Sequence, residues 1–263
     1  VDIQSSASEQ ELFQFIKENV NYGVINKCDT EISKELDVYI PELKLAFEYN
    51  GLYWHSDKYK DRKYHFNKTN ECKEKGIRLF HIFENDWKNK KEIVQSMILN
   101  ILGKSNSIYA RKCEIKLVED KNIIKEFLNS NHLQGYTFSK VNLGLYYNDE
   151  LVSLMLFDRS KFNKNYEWEL SRFCNKLNTS VVGGASKLLK YFIKNYSPKN
   201  IVSYSDRTWS NGNLYNKLSF KHVKTSNPSY FYVDKISFER IHRFNFRKSE
   251  LKKMGYDVEN KTE

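Results

Sequence analysis

Four residues whose side chains can support phosphodiester hydrolysis lie within 36–57, LDVYIPELKLAFEYNGLYWHSD. They are two acids, Asp37 and Glu48, an amide, Asn50, and a histidine, His55. Hard cations such as Mg²⁺ bind one or two carboxylates together with the oxygens of a substrate phosphate. A histidine titrates near neutrality and can pass a proton to or from a reacting group. These residue types indicate metal-assisted hydrolysis.

The pattern around these residues predicts two strands joined by a turn. Residues 38–40 are strand formers, and Pro41-Glu42 is typical of a turn. Apolar residues then recur at every second position, as in a half-buried strand: Leu43, Leu45 and Phe47. Glu48 is expected on the opposite face, where it and Asp37 could converge on one metal ion. In the alternative interpretation the acids are solvated edge residues and His55 is a partly buried ring beside Tyr53 and Trp54.

The composition favours a polyanionic partner. The 263 residues include 43 Lys and Arg against 33 Asp and Glu, a net charge of +10. Such a surplus suits nucleic acid first and an anionic membrane second, although a modest basic charge can serve solubility alone. No apolar run reaches the ~18 residues of a membrane span, and no signal peptide is expected. Four cysteines without a Cys-x-x-Cys pair favour a reducing cytoplasm.

Periodicity predicts two domains. Residues 1–107 alternate helices and strands as a compact α/β unit, and 108–263 form a second domain that ends in a basic tail. The polar stretch 104–107 is the predicted hinge. The first helix is expected at 9–19, with Ser8 as N-cap and Glu11 completing a capping box. Glu9 or Glu11 then either caps the helix or reaches the acids as an outer-sphere ligand.

A second pair of polar residues lies on the helix predicted before Gly76. His65 and Lys68 are three residues apart and so share a helix face. They could supply a second general base and a charge that clamps a phosphate. The alternative is a solvated helix face. His81 lies within an apolar strand and is expected to be a core histidine.

The first hundred residues resemble a family of nucleases. The segment DVYIPELKLAFEYNGLYWHSD, followed by GIRLFHIFENDW, resembles the very-short-patch repair endonucleases and, more closely, phage homing endonucleases of the EDxHD type. Both have a restriction-endonuclease-like fold, which the resemblance implies here. In the general PD-(D/E)xK pattern a lysine stands two residues after the second acid, whereas Asn50 stands there in this chain. An amide can orient a water but supplies no charge.

The resemblance also implies roles for individual residues. Asp37 would bind Mg²⁺, with Mn²⁺ as an alternative, helped by the main-chain carbonyl of Tyr49. Glu48 adds a second acid that the repair enzymes lack. His55 would act in acid–base catalysis on the attacking water or the phosphate.

The resemblance extends to aromatic residues and to a metal that should be absent. Tyr53 and Trp54 match aromatic residues that wedge into the base stack. No zinc is expected, because the repair enzymes' zinc-ligand positions fall on Leu52, Asp57 and Tyr59.

The second half resembles the GNAT-like acyltransferases, which implies an α+β domain. The matching segments follow in the family's order: LGLYYNDELVSLMLF, EWELSRF, SVVGGASKLL and LYNKLSF. In the family's pyrophosphate-binding turn, Arg/Gln-x-x-Gly-x-Gly/Ala, Gly183 and Ala185 match and Ser180 departs. Tyr215 matches a frequent general acid. Tight packing at a helix start is the favoured alternative for the glycines.

The second domain is expected mainly to bind DNA. Five of its side chains are predicted near phosphates, with ordinary surface charge as the alternative: Arg207, Trp209, Arg243, Arg247 and Lys248.

The sequence therefore predicts a magnesium-dependent endonuclease for double-stranded DNA, of phage homing type, in the cytoplasm of an infected bacterial host. No membrane partner is expected. Cutting both strands would need a homodimer or two sequential nicks. The alternatives are a DNA-modifying acyltransferase whose nuclease-like half binds DNA, and a catalytically silent DNA-binding protein.

Overall fold

The computed structural model describes residues 6–28, 32, 35–51, 64–161, 163–227, 229–234, 236–237 and 240–258. Over these ranges the protein is mixed α/β, which confirms the predicted class at that level. The described residues form two compact units. The first unit draws on 1–13, 23–89 and 223–263, and the second on 14–22 and 90–222. Within the described ranges, no helix has the length and apolar character needed to cross a membrane.

The first unit is built on a four-stranded sheet in the order β1-β2-β3-β4, with β3 and β4 parallel and the other pairs antiparallel. The strands are β1 (Ile25–Cys28), β2 (Leu36–Ile40), β3 (Leu45–Asn50) and β4 (Arg78–Phe83). The helices are α2 (Tyr64–Glu74), α3 (Glu84–Asn89), α8 (Lys248–Lys253) and the residues up to 13 of α1 (Ala7–Glu18). An antiparallel pair, β12 (Phe231–Val233) and β13 (Arg240–His242), belongs to the same unit.

The predicted β2–turn–β3 arrangement is confirmed. Pro41–Leu43 forms one turn of 3₁₀ helix, and Lys44 leaves it in the left-handed region at φ 49°. Val38 then pairs with Phe47 and Ile40 with Leu45. However, β3 is buried on both faces from Ala46 to Asn50 rather than on one. Glu48 therefore lies inside the protein.

Two local predictions in the first half were wrong. The N-cap of α1 is Ser6 and not Ser8, because the helix begins at Ala7 and Ser6 Oγ accepts a hydrogen bond from the Glu9 amide (3.2 Å). The predicted hinge at 104–107 runs into a strand, β5 (Asn106–Tyr109), which pairs in parallel with a later strand. The polar composition of β5 does not predict a strand, because the backbone pairing of β5 depends on a partner strand far along the chain.

The second unit contains a five-stranded sheet in the order β11-β9-β8-β7-β6. Its strands are β6 (Glu114–Leu117), β7 (Val141–Tyr147), β8 (Glu150–Arg159), β9 (Trp168–Asn175) and β11 (Ile201–Ser203). β10 (Thr179–Val182) pairs with β5 outside this sheet. The helices are α4 (Lys91–Ile101), α5 (Lys121–Asn131), α6 (Gly184–Tyr196) and α7 (Asn213–Lys217).

Helices cover both faces of this sheet. On one face, α6 contributes Phe192, whose ring stacks on Phe157 of β8 at 3.6 Å between centroids. On the other, α5 packs Phe127 and Leu128 against alternate residues of β8. The predicted β7–β8 hairpin is confirmed. Its turn, Asn148-Asp149, has both residues at positive φ (51° and 61°), as the favoured two-residue hairpin turn requires.

The compact units do not follow the predicted division after residue 107. α4 belongs to the second unit, and the residues from 223 on belong to the first. An ion pair explains part of this arrangement: Arg240 Nη2 donates to Asp86 Oδ2 at 2.6 Å. The guanidinium also lies 4.0 Å from the centre of the Phe83 ring. Local sequence patterns cannot predict this contact, because Asp86 and Arg240 lie 154 residues apart in the chain.

Candidate active site

The two predicted acids meet where the β2–β3 ladder ends. Val38 and Phe47 are Cα partners, and Asp37 and Glu48 are the next residues outward on the two strands. Residues opposite each other in an antiparallel pair project from the same face. The Tyr49 amide donates to Asp37 Oδ2 (2.7 Å). The Asp37 side chain therefore takes the place of a main-chain carbonyl as the acceptor at the end of the ladder. Since the amide and carbonyl of a strand residue point the same way, the Tyr49 carbonyl also faces the Asp37 side of β3.

A lysine from α2 completes this pair of acids. Lys68 Nζ donates to Glu48 Oε1, and both residues are buried, with 1% and 3% of their surface exposed. Lys68 was predicted to share a helix face with His65 and to clamp a phosphate there, with a solvated helix face as the alternative. Instead its ammonium lies inside the unit, where it supplies the charge that Asn50 lacks. Cys72, one helical turn later and fully buried, was the available sign that this side of α2 faces inward.

Asn50 is held by a chain of hydrogen bonds that crosses to β4 and α2. The Thr69 hydroxyl donates to the His65 carbonyl (2.8 Å), so it accepts from His81 Nε2 (2.8 Å). His81 Nδ1 then accepts from the Asn50 amide (3.3 Å). The chain confirms His81 as a buried, satisfied histidine. It also leaves Asn50 Oδ1, on the same strand face as Glu48, buried and accepting no hydrogen bond from the described residues.

Burial and proximity disfavour two negative charges in this site. Burial, together with the neighbouring charge of Glu48, raises the pKa of Asp37 to about 8. Burial also raises the pKa of Glu48, and the Lys68 ammonium opposes that effect. A bound cation would act in the opposite direction by favouring both ionised forms. Near neutrality burial therefore favours the protonated form of Asp37, and a bound cation would favour its ionised form.

The oxygen donors suit a hard divalent cation. Asp37 and Glu48 lie opposite each other on neighbouring strands, the Tyr49 carbonyl faces the Asp37 side of β3, and Glu48 Oε2 is buried without a hydrogen bond of normal geometry to any described residue. In the described part of the chain no three His, Cys, Asp or Glu side chains gather at one point. Mg²⁺ is commonly held by one or two carboxylates with water and phosphate oxygens completing the shell. Two carboxylates and a carbonyl therefore fit it.

The two α1 acids, of which either Glu9 or Glu11 was predicted to reach the site, have different surroundings. Glu11 Oε2 accepts from Trp87 Nε1 (3.0 Å), which fixes it against α3. The charge of Glu9 raises the pKa of both Asp37 and Glu48, and burial raises its own. Sequence analysis could not separate the two acids, because the choice depends on which helix face meets the sheet.

His65 lies beside the site rather than in it. Its ring is 5.2 Å from the ring of His81 and 6.0 Å from that of Phe83, in edge-on arrangements. These contacts make it part of an aromatic cluster at the carboxyl end of β4. Three further predicted site residues lie outside the described residues: Tyr53, Trp54 and His55. So do the positions compared with zinc ligands.

The predicted DNA contacts divide between the two units. Arg243, Arg247 and Lys248 are exposed and belong to the same unit as Asp37, although they were predicted in the other domain. Arg207 and Trp209 belong to the second unit. The Trp209 ring is largely buried, with 9% exposed, so it offers little surface for stacking on a base.

The segment compared with a pyrophosphate-binding turn is tightly packed. Residues 179–182 form β10 and pair with β5, and α6 starts immediately afterwards. A Cβ on Gly184 would lie 3.0 Å from Val181 Cγ1 and 3.2 Å from Leu145 Cδ1. The Tyr215 hydroxyl is 3.1 Å from Ser203 Oγ and accepts its hydrogen bond. Close packing accounts for the glycine at 184 without a ligand.

Comparison of the sequence with protein-family models and with curated proteins gives no match. The chemistry of the site therefore has to be argued from its residues. A buried carboxylate pair, a lysine bonded to one member and a fixed amide can hold a cation and position a water. They can also place a positive charge beside an anionic substrate.

Proposed function

We propose that the protein is a magnesium-dependent endonuclease that hydrolyses phosphodiester bonds in double-stranded DNA. The observation that carries the proposal is the meeting of Asp37, Glu48 and Lys68 at the end of the β2–β3 ladder. It supports a PD-(D/E)xK arrangement in which the lysine comes from α2 and not from the strand. The net charge of +10 suits the substrate.

Each residue has a role in this proposal. Asp37, Glu48 and the Tyr49 carbonyl would hold Mg²⁺, which when bound would supply Lewis-acid chemistry to the phosphoryl oxygen and to a bound water. Lys68, bonded to Glu48, favours the ionised form of that carboxylate and would offer an N–H to the phosphate. Asn50 Oδ1 accepts a hydrogen bond from the attacking water. The products carry 3′-hydroxyl and 5′-phosphate ends.

The finer proposal is a phage homing enzyme with a restriction-endonuclease-like domain and a GNAT-like domain that holds DNA. The resemblance of residues 37–57 and the order of elements β7, β8, β9 and α6 support it. Such an enzyme acts in the cytoplasm of the infected host. The acyltransferase alternative gains no support from the packed β10–α6 turn.

Cleavage of plasmid and phage genomic DNA tests the proposal. We expect the purified protein with Mg²⁺ to cut, and EDTA to prevent cutting. Asp37→Asn and Lys68→Met should each lower the cleavage rate at least about 100-fold, since each removes a group at the reacting phosphate. Lys73→Met, on the exposed side of α2, is the matched control and should cut normally.

A double variant guards against a folding artefact. Lys68→Met leaves Glu48 buried without its partner, whereas Glu48→Gln with Lys68→Met removes both charges. We expect the double variant to melt close to the wild type and still not cut. Cleavage by Asp37→Asn at the wild-type rate would refute the site.

A further inference from the structure

A cluster of aromatic side chains is exposed in the C-terminal part of the first unit. We call β12, β13 and the 3₁₀ helix Arg243–Phe246, with Tyr230, the aromatic ribbon. Its rings are between two fifths and one half exposed: Tyr230 39%, Phe231 44%, Tyr232 42% and Phe244 48%. Clustered apolar rings in water mark a binding surface more often than a structural one.

Arginine holds these rings in place and makes the surface basic. The Arg243 guanidinium lies 5.6 Å from the ring centres of both Tyr230 and Phe244. Tyr230 in turn meets Tyr232 edge-on at 5.7 Å. From Arg243 to Lys253 the chain has five basic residues and one acid, Glu250, a net of +4. The surface thus combines ring faces with positive charge.

The aromatic ribbon is fixed next to the candidate active site. Arg240 of β13 is ion-paired to Asp86 and lies over the Phe83 ring, at the end of β4. Phe83 is the Cα partner of Asn50, which lies two residues beyond Glu48 on β3. The ribbon is therefore joined to the strand end that carries the site.

One ligand fits both properties of this surface. A nucleotide that has left the base stack offers a flat ring face and a phosphate, and aromatic side chains with arginine bind such nucleotides with little sequence preference. A paired duplex offers phosphates but keeps its base faces covered, so it would leave the exposed rings unused. A neutral protein surface would leave the charge unused.

We propose that the aromatic ribbon binds unpaired bases of the DNA that enters the site of Asp37 and Glu48. The link to the site of Asp37 and Glu48 rests on the proposed endonuclease function, whereas the binding of unpaired bases does not. The substrate would then have a single-stranded segment beside the cleaved bond, or the enzyme would open one. Tyr230 and Phe244 stack on bases, and Arg243 contacts the phosphate between them.

Fluorescence anisotropy with a labelled thymidine oligonucleotide, in EDTA so that nothing is cut, tests the binding. We expect the single strand to bind more tightly than the same strand in a duplex. Tyr230→Ala and Phe244→Ala should each weaken single-strand binding about tenfold, and Tyr230→Phe should keep it. Tyr109→Ala is the matched control, since Tyr109 is 50% exposed and lies beneath Arg111 in the other unit. It should bind as the wild type does.

Photocrosslinking of the wild-type protein to an iodouracil-labelled strand does not depend on any variant. Crosslinks within 230–246 support the proposal, and crosslinks confined elsewhere overturn it. If Arg243→Gln weakened duplex and single-strand binding equally, and Tyr230→Ala weakened neither, the surface would contact only phosphate and the proposal would be refuted. If the aromatic variants abolished self-association but kept DNA binding, the aromatic ribbon would be an interface between copies of the chain and the proposal would be refuted.

The two proposals fail differently. If Asp37→Asn still cuts, the endonuclease site is refuted while single-strand binding stands. If cleavage depends on Asp37 but the aromatic variants bind single strands normally, only the role of the ribbon is refuted.

Discussion

Asp37 connects the chemistry of the site to the stability of the protein. Its pKa of about 8 in the folded protein lies far above the ordinary 3.8 of an unfolded chain. Between those values the folded state keeps a proton that the unfolded state releases. The associated stability is fully present below about pH 4 and is lost as the pH rises through about 8. Because Glu48 is close, the titration belongs to the pair.

We therefore expect the metal-free protein to lose unfolding free energy between pH 5 and pH 9, by at least about 1 kcal/mol. Asp37→Asn cannot ionise and should show a smaller loss. Mg²⁺ should restore stability above pH 8 in the wild type and not in the variant. Urea denaturation at several pH values, with EDTA or Mg²⁺, measures this. A wild-type stability that rises over this range would contradict the buried carboxylate pair.

At the scale of elements, a substitution in the β10–α6 turn can test whether Gly184 is needed for packing or for binding a ligand. Gly184→Ala places a Cβ against Val181 and Leu145, which should destabilise the second unit by about 1–3 kcal/mol. Acetyl-CoA should give no heat by calorimetry with the wild type. Lys190→Ala, on the exposed side of α6, is the control and should stay within about 0.5 kcal/mol. Heat from acetyl-CoA binding that Gly184→Ala removes would favour the acyltransferase alternative.

Strong periodicity was enough to predict several elements. Apolar residues alternate with others in β3 and make up most of β4. Gly76 follows α2 at a positive φ, and Asn148-Asp149 is typical of a two-residue hairpin turn. β1 was missed because INKC has no such pattern, and Lys27 in it has a positive φ of 50°. A strand of this kind depends on its neighbour β2.

The candidate site was predictable in part, for a similar reason. Asp37 and Glu48 lie on paired strands with a short turn, so their meeting follows from local pattern and register. The Lys68–Glu48 pair spans 20 residues and depends on how α2 packs on the sheet. A lysine in a polar stretch is ordinarily solvated, and only the tertiary structure shows that this one is buried.

At the scale of the whole molecule, Arg240 joins distant parts of the first unit. Its pair with Asp86 is largely buried, with side-chain exposures of 17% and 10%. Arg240→Met should cost about 2–3 kcal/mol, because the largely buried carboxylate of Asp86 loses its ion-pair partner. Hydrogen exchange should speed up at least about tenfold in peptides of β4 and α3, and stay unchanged in β8 and β9.

Arg247→Met is the control for that prediction. Arg247 pairs with Glu250 at an exposed position, where an ion pair contributes little. Its exchange pattern should match the wild type. Faster exchange in β8 and β9 of the Arg240→Met protein would contradict the division into two units.

The position of Arg240 also has a consequence for how the protein is made. Asp86 leaves the ribosome 154 residues before its partner, which at ~5–20 residues per second is about 8–30 s earlier. Meanwhile residues 90–222, the larger part of the second unit, are synthesised. The sheet that carries Asp37 and Glu48 therefore gains this contact late, and a nascent chain can complete its first unit only after most of the second unit has left the ribosome.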